Sequence, residues 1–74
     1  MKPLAHWAIH RQFKIQLGGR SVTELWGRLV DSQGQATMFR YERHTRRLIL
    51  GAGDTARTVQ LDEYGFEQPR GPDG

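Results

Sequence analysis

The densest run of chemically capable side chains is Arg40-Tyr41-Glu42-Arg43-His44-Thr45-Arg46-Arg47, which sets four arginines, a histidine and a tyrosine around one acid. A guanidinium is a planar fork that grips phosphate or carboxylate and stacks on aromatic rings. On a two-stranded ribbon such groups reach phosphates or guanine edges. Arg20, Arg28 and Arg57 extend the patch if they share a face with it. Trp26 or Tyr41, if exposed, could stack on a base. The competing reading is a solvated hairpin tip whose charges keep strand edges from pairing with a neighbour.

Other combinations carry less. His6 and His10 would share one side of a helix and could share a metal. On a strand they would stand about 13 Å apart, too far for one ion. Without cysteine or a third ligand in view, no metal site is expected. The segment Gly51-Ala52-Gly53-Asp54-Thr55-Ala56 spells G-x-G-x-x-A after an apolar strand. A dinucleotide fingerprint must open a βαβ unit of about 30 residues, and too little chain follows. The segment therefore reads as a glycine-rich loop, and no cofactor is expected. Ser21 and Ser32 read as cap or turn residues rather than nucleophiles. Asp62 and Glu63 are adjacent, so on a strand they face opposite ways. No catalytic residues are assigned. A substrate pocket of about 300 Å³ is hard to wall with so short a chain, and an enzyme is not expected.

These side chains must be positioned by a chain of 74 residues, enough for one domain. One core of that size rarely supplies more than roughly 3–5 kcal/mol, and small proteins often add disulfides, a metal or a partner chain. With no cysteine, good packing or an even-numbered homo-oligomer remains. The lack of cysteine also suits a cytoplasmic, reducing setting. No stretch resembles a secretory signal or approaches the roughly 20 apolar residues of a membrane span, so no membrane association is expected. Residues 1–57 hold ten Lys/Arg against four acids; residues 58–74 hold Arg70 against Asp62, Glu63, Glu67 and Asp73. A basic body with an acidic end attracts a polyanion or a second copy of itself. In the latter case the acidic 62–67 segment would dock on a neighbour's arginine hairpin.

The elements read as strands. Trp7, Ile9, Phe13, Ile15 and Leu17 alternate with polar residues, the pattern of a half-buried strand. Pro3 with Leu4-Ala5 suits a first helical turn, but the alternation opposes a helix reaching far into this segment. Gly18-Gly19 reads as a tight hairpin turn. Between 21 and 33 two readings compete. Ser21-Val22-Thr23-Glu24 matches a capping box, and Val22, Leu25, Trp26, Leu29 and Val30 follow helical spacing. Against the helix stand Gly27, the β-branched residues and Asp31-Ser32-Gln33-Gly34, a type I turn with glycine in the left-handed position. The strand reading is preferred, pairing 24–31 with 35–42. Leu48-Ile49-Leu50 and Thr58–Asp62 add two strands. Trp7, Phe13, Trp26, Phe39, Tyr64 and Phe66 are assigned to the core.

The expected fold is all-β: a five-stranded antiparallel meander curled into a small barrel or bent sheet over residues 1–66, followed by a disordered tail over 67–74. The alternative is α+β with a helix at about 21–33. The expected function is a small non-enzymatic module that binds DNA or RNA, or acts in regulation, through the arginine-rich hairpin. The alternative is a homo-oligomeric protein-interaction module with no nucleic-acid role.

Overall fold

The computed structural model describes residues 2–68. A helix, α1 (Lys2–His10), precedes five strands: β1 (Lys14–Arg20), β2 (Glu24–Val30), β3 (Ala36–Glu42), β4 (Arg47–Leu50) and β5 (Arg57–Gln60). The strands pair antiparallel in sequence order, with β1 and β5 as the outer strands of an open, bent sheet. The meander is therefore as expected, bent rather than closed, and residues 21–33 are strand and turn.

The helix at the start departs from the strand expected over Trp7 to Leu17. Leu4, Trp7 and Ala8 are buried at helical spacing, whereas Ile9 is 68% exposed. The apparent alternation was thus coincidental on its first half. The helix ends in a Schellman motif: Phe13 N–H donates to the Ala8 carbonyl and Gln12 N–H to the Ile9 carbonyl. Gln12 takes the left-handed conformation there (φ 61°). The accompanying apolar contact is Phe13 stacked on Trp7, with ring centroids 5.6 Å apart. Glycine is the usual signal for this stop, and Gln12 hides it.

Gly18-Gly19 also departs from expectation. Both residues lie inside β1, where the register slips by one between Leu17 and Gly19. The turn comes later, at Ser21–Thr23. Ser21 Oγ accepts hydrogen bonds from the N–H groups of Thr23 (3.3 Å) and Glu24 (3.0 Å). These are the bonds a helix cap would make, used here to fold a hairpin. Between β2 and β3, Asp31 Oδ1 accepts from Gln33 N–H and Gln35 N–H, both at 2.9 Å, and Gly34 sits at φ 85°. Asp62 repeats the device: Oδ1 accepts from Tyr64 N–H and Phe66 N–H at 2.9 Å, with Gly65 at φ 93°. This second turn lifts Tyr64 (62% exposed) and Phe66 (56% exposed) away from the core they were expected to close. A Cβ on Gly65 would collide with the Pro3 carbonyl, so the turn packs tightly on the helix. Glu67 and Gln68, assigned to the tail, are placed beside the sheet: Glu67 bridges to Leu61, and Gln68 N–H donates to the Gln60 carbonyl. Residues 69–74 of the expected tail lie outside the described residues.

The register assigns each strand residue to a face. Ile15, Leu25, Leu29, Phe39, Tyr41, Leu48, Leu50 and Val59 share the side covered by α1 and the 61–68 segment. With Leu4, Trp7, Ala8 and Leu61 they form the core. Lys14, Trp26, Arg28, Met38, Arg40, Arg47 and Ile49 share the opposite side. Trp26 (41% exposed) and Met38 (62% exposed) stand there in the open.

Tyr41 is buried to 1% exposure, and burial pushes its phenol above the usual value near 10, against the pull of the Arg46 and Arg43 charges. The unfolded chain ionises this group first, so it binds fewer protons than the folded chain once pH passes about 10. Below that pH this linkage leaves stability unchanged; above it stability falls. In a Tyr64→Phe background, phenolate absorbance is expected to rise at higher pH in the folded chain than in the unfolded chain. Adding Tyr41→Phe should remove this contribution to the alkaline drop in melting temperature; an unaltered drop contradicts the assignment.

Candidate nucleic-acid interface

The uncovered face is built around Trp26. Its neighbour on β3 is Arg40, whose neighbour on β4 is Ile49. On the β1 side stands Gly19. A Cβ on Gly19 would meet the indole at 2.5 Å, and the nearest ring atom to a Cβ on Gly18 would be 3.7 Å away. The indole thus lies across the glycine pair, which gives it a flat floor of backbone. The two glycines read as a turn are the seat of this side chain. Trp26, assigned to the core from sequence, is the exposed aromatic of the sheet.

Around the indole the cations are ordered by register. Arg28 stands opposite Met38, and Lys14 opposite Val30. Arg40 Nε lies 3.5 Å from Glu24 Oε2, and an Arg47 Nη lies 3.5 Å from Glu42 Oε1. Both arginines keep at least half their side chain exposed. Such surface pairs are worth about 0–1 kcal/mol, so a phosphate can displace the carboxylate at small cost. Two depressions of about 380 and 500 Å³ meet beside Trp26 and Met38, one reaching Arg40 and the other Arg28.

The basic hairpin lies at one end of this face. Arg43 N–H donates to the Thr23 carbonyl, and its guanidinium to the Ser21 carbonyl at 3.2 Å, tying the β3–β4 turn to the β1–β2 turn. His44 is exposed at the same end, and Arg20, also exposed there, stands opposite Leu25 and so belongs to the helix-covered side. The Gln60 amide donates to the carbonyls of Thr45 (2.6 Å) and Arg46 (3.3 Å), which fixes the loop. Arg46 adopts φ 58°, and its Nε is buried without a hydrogen-bond partner among the described residues. It is a half-buried structural cation beside Tyr41 rather than a free contact group.

Four assigned residues leave the interface: Arg46, Arg20, Tyr41 and Arg57. Tyr41 is in the core and cannot stack on a base. Arg57 pairs with Leu50 and so belongs to the helix-covered face, at the far end from the hairpin. The remaining arginines form one continuous surface from Arg28 through Arg40 and Arg47 to the hairpin. No family model matches the chain, and no curated protein or solved structure matches it either.

His6 and His10, expected on a strand, lie one turn apart on α1. His10 Nδ1 is 2.8 Å from the His6 carbonyl, and His6 Nδ1 is 3.1 Å from the Tyr64 carbonyl. Among the described residues no three His, Asp or Glu side chains gather as metal ligands. Gly51–Ala56 is a loop holding a short 3-10 turn, Gly53–Thr55, and leads into β5 rather than into an α-helix. The acidic 62–67 segment is largely spent within the chain. Asp62 caps its turn, and Glu67 accepts from the Trp7 indole (3.0 Å) and from Arg11. A cleft of about 390 Å³ opens between α1 and the 51–57 loop, larger than expected for so short a chain. No described helix is long and apolar enough to cross a membrane.

Proposed function

We propose that the uncovered sheet face binds single-stranded nucleic acid, with a base stacked on Trp26 and the flanking phosphates held by Arg28, Arg40 and Arg47. The observation that carries this reading is the exposed indole laid on a glycine floor, with the unburied Arg28 further along β2 and Arg40 beside it on β3. Every base has a π-face, so the contact tolerates sequence, while bases paired within a duplex are not free to take it. The hairpin residues Arg43 and His44 extend the electropositive path beyond the stacking site. The lack of cysteine fits action in the reducing cytoplasm.

Three or four displaced phosphate counterions imply a log–log salt slope of about −2 to −3 for a single strand. Between 50 and 200 mM salt, affinity for a labelled oligothymidine should therefore fall about 20–50-fold by fluorescence anisotropy. A salt-independent signal, or none, contradicts the reading. The same apolar centre with an Arg rim also suits a face shared by two copies of the chain. Sedimentation that shows a dimer closed over Trp26, with no oligonucleotide uptake, favours that second reading.

A further inference from the structure

The cleft on the helix-covered side holds a combination that the sheet face does not explain. Its floor is Leu29, Leu50 and Val59, and Phe13, stacked on Trp7, forms one wall. The 51–57 loop forms the other wall, and Thr37 and Thr55 supply hydroxyls. The cleft exists because β4 begins pairing only at Phe39, so Thr37, paired with Leu29 on β2, has no strand on its other side. At about 390 Å³ it lies at the low end of the roughly 300–1,000 Å³ common for small-molecule sites.

The charges at its mouth are unequal. Arg11 is paired with Glu67, which also accepts from the Trp7 indole, so that corner is neutral. Arg57 lines the cleft with no carboxylate within 4 Å among the described residues. An apolar slot with one uncompensated guanidinium at its rim suits a ligand with a flat apolar body and a single carboxylate. The fork takes the carboxylate in two parallel hydrogen bonds, and the body displaces water from the floor. A neutral analogue gains only the second term, and a cationic one is repelled.

We propose that this cleft is a binding site for a small aromatic or alicyclic carboxylate, with Arg57 as its anion anchor. It lies on the opposite side of the sheet from Trp26 and stands whether or not nucleic acid binds there. Methyl NMR spectra of the intact chain, titrated with 2-naphthoate and separately with 2-naphthylmethanol, test it. Naphthoate should shift the Leu29, Leu50 and Val59 methyls with an affinity in about the millimolar range or tighter. It should bind at least about tenfold more tightly than the alcohol, the fold-change that even one of the two charge-assisted hydrogen bonds supplies. Arg57→Gln should erase that preference while leaving alcohol binding and the melting temperature unchanged, and Arg57→Lys should restore part of it. Trp26→Ala should leave naphthoate binding intact. Equal affinities for the two probes, an Arg57→Gln variant that still prefers naphthoate, or no methyl shifts with naphthoate would each overturn the proposal.

Discussion

Leu48→Ala is expected to leave most of the chain unfolded at 25 °C. Leu48 is fully buried on β4, between Tyr41 on β3 and Val59 on β5, in the only sheet among the described residues. Removing a buried leucine side chain costs about 2–5 kcal/mol, depending on how far the cavity relaxes. A core of this size supplies roughly 3–5 kcal/mol altogether. The two ranges overlap, so one truncation can consume the whole margin. Far-UV circular dichroism should lose most of its strand signal, and urea should give no cooperative transition. Leu48→Met keeps the volume, costs less than about 1.5 kcal/mol and should still melt cooperatively. A Leu48→Ala variant as stable as the parent would mean that another interaction, such as self-association, carries the fold.

The second large effect concerns binding. Trp26→Ala should weaken oligothymidine affinity by about 5–150-fold, from the roughly 1–3 kcal/mol that one base–aromatic stack contributes. The fold should survive, because the indole is 41% exposed and lies outside the core. Trp26→Phe retains a ring and should recover much of the loss. The salt slope should scarcely change, since no charge is removed. Arg40→Gln should do the reverse: a smaller loss, with the slope reduced by about 0.7. That contrast separates stacking from phosphate contact. If Trp26→Ala binds like the parent while Arg40→Gln does not, the interface is electrostatic alone.

Much of the architecture was legible because alternation and turn chemistry agree over residues 24–60. Asp31 and Gly34 spell their own hairpin, and the β2–β3 register follows from it. The Asp62–Gly65 spacing repeats that signal and should have read as a turn as well. Reading it would have taken Tyr64 and Phe66 out of the core. The initial helix was hidden for a different reason. Its stop is a left-handed glutamine rather than a glycine, and Ile9 and Trp7 mimic the first half of a strand. Ser21 misled in the other direction, since one set of side-chain to backbone bonds serves a helix cap and a turn alike.

The site was legible as residue types but not as a surface. Arg28, Arg40 and Arg47 fall on one face only because β2, β3 and β4 pair in a particular register. Arg57 is separated from them because it sits opposite Leu50. No local pattern reveals that Gly18-Gly19 accommodates an indole seven residues further on, because the contact is made across a bulged strand pair.

The most direct test is an ¹H–¹⁵N correlation spectrum of the two tryptophan indoles during titration with a single-stranded oligothymidine of about ten nucleotides. Trp7 is buried, with its N–H held by Glu67, and provides an internal control. The Trp26 indole resonance should move saturably, together with the Arg28 and Arg40 side-chain signals, while Trp7 stays in place. A stationary Trp26, or shifts confined to the helix-covered side, contradicts the proposed stacking.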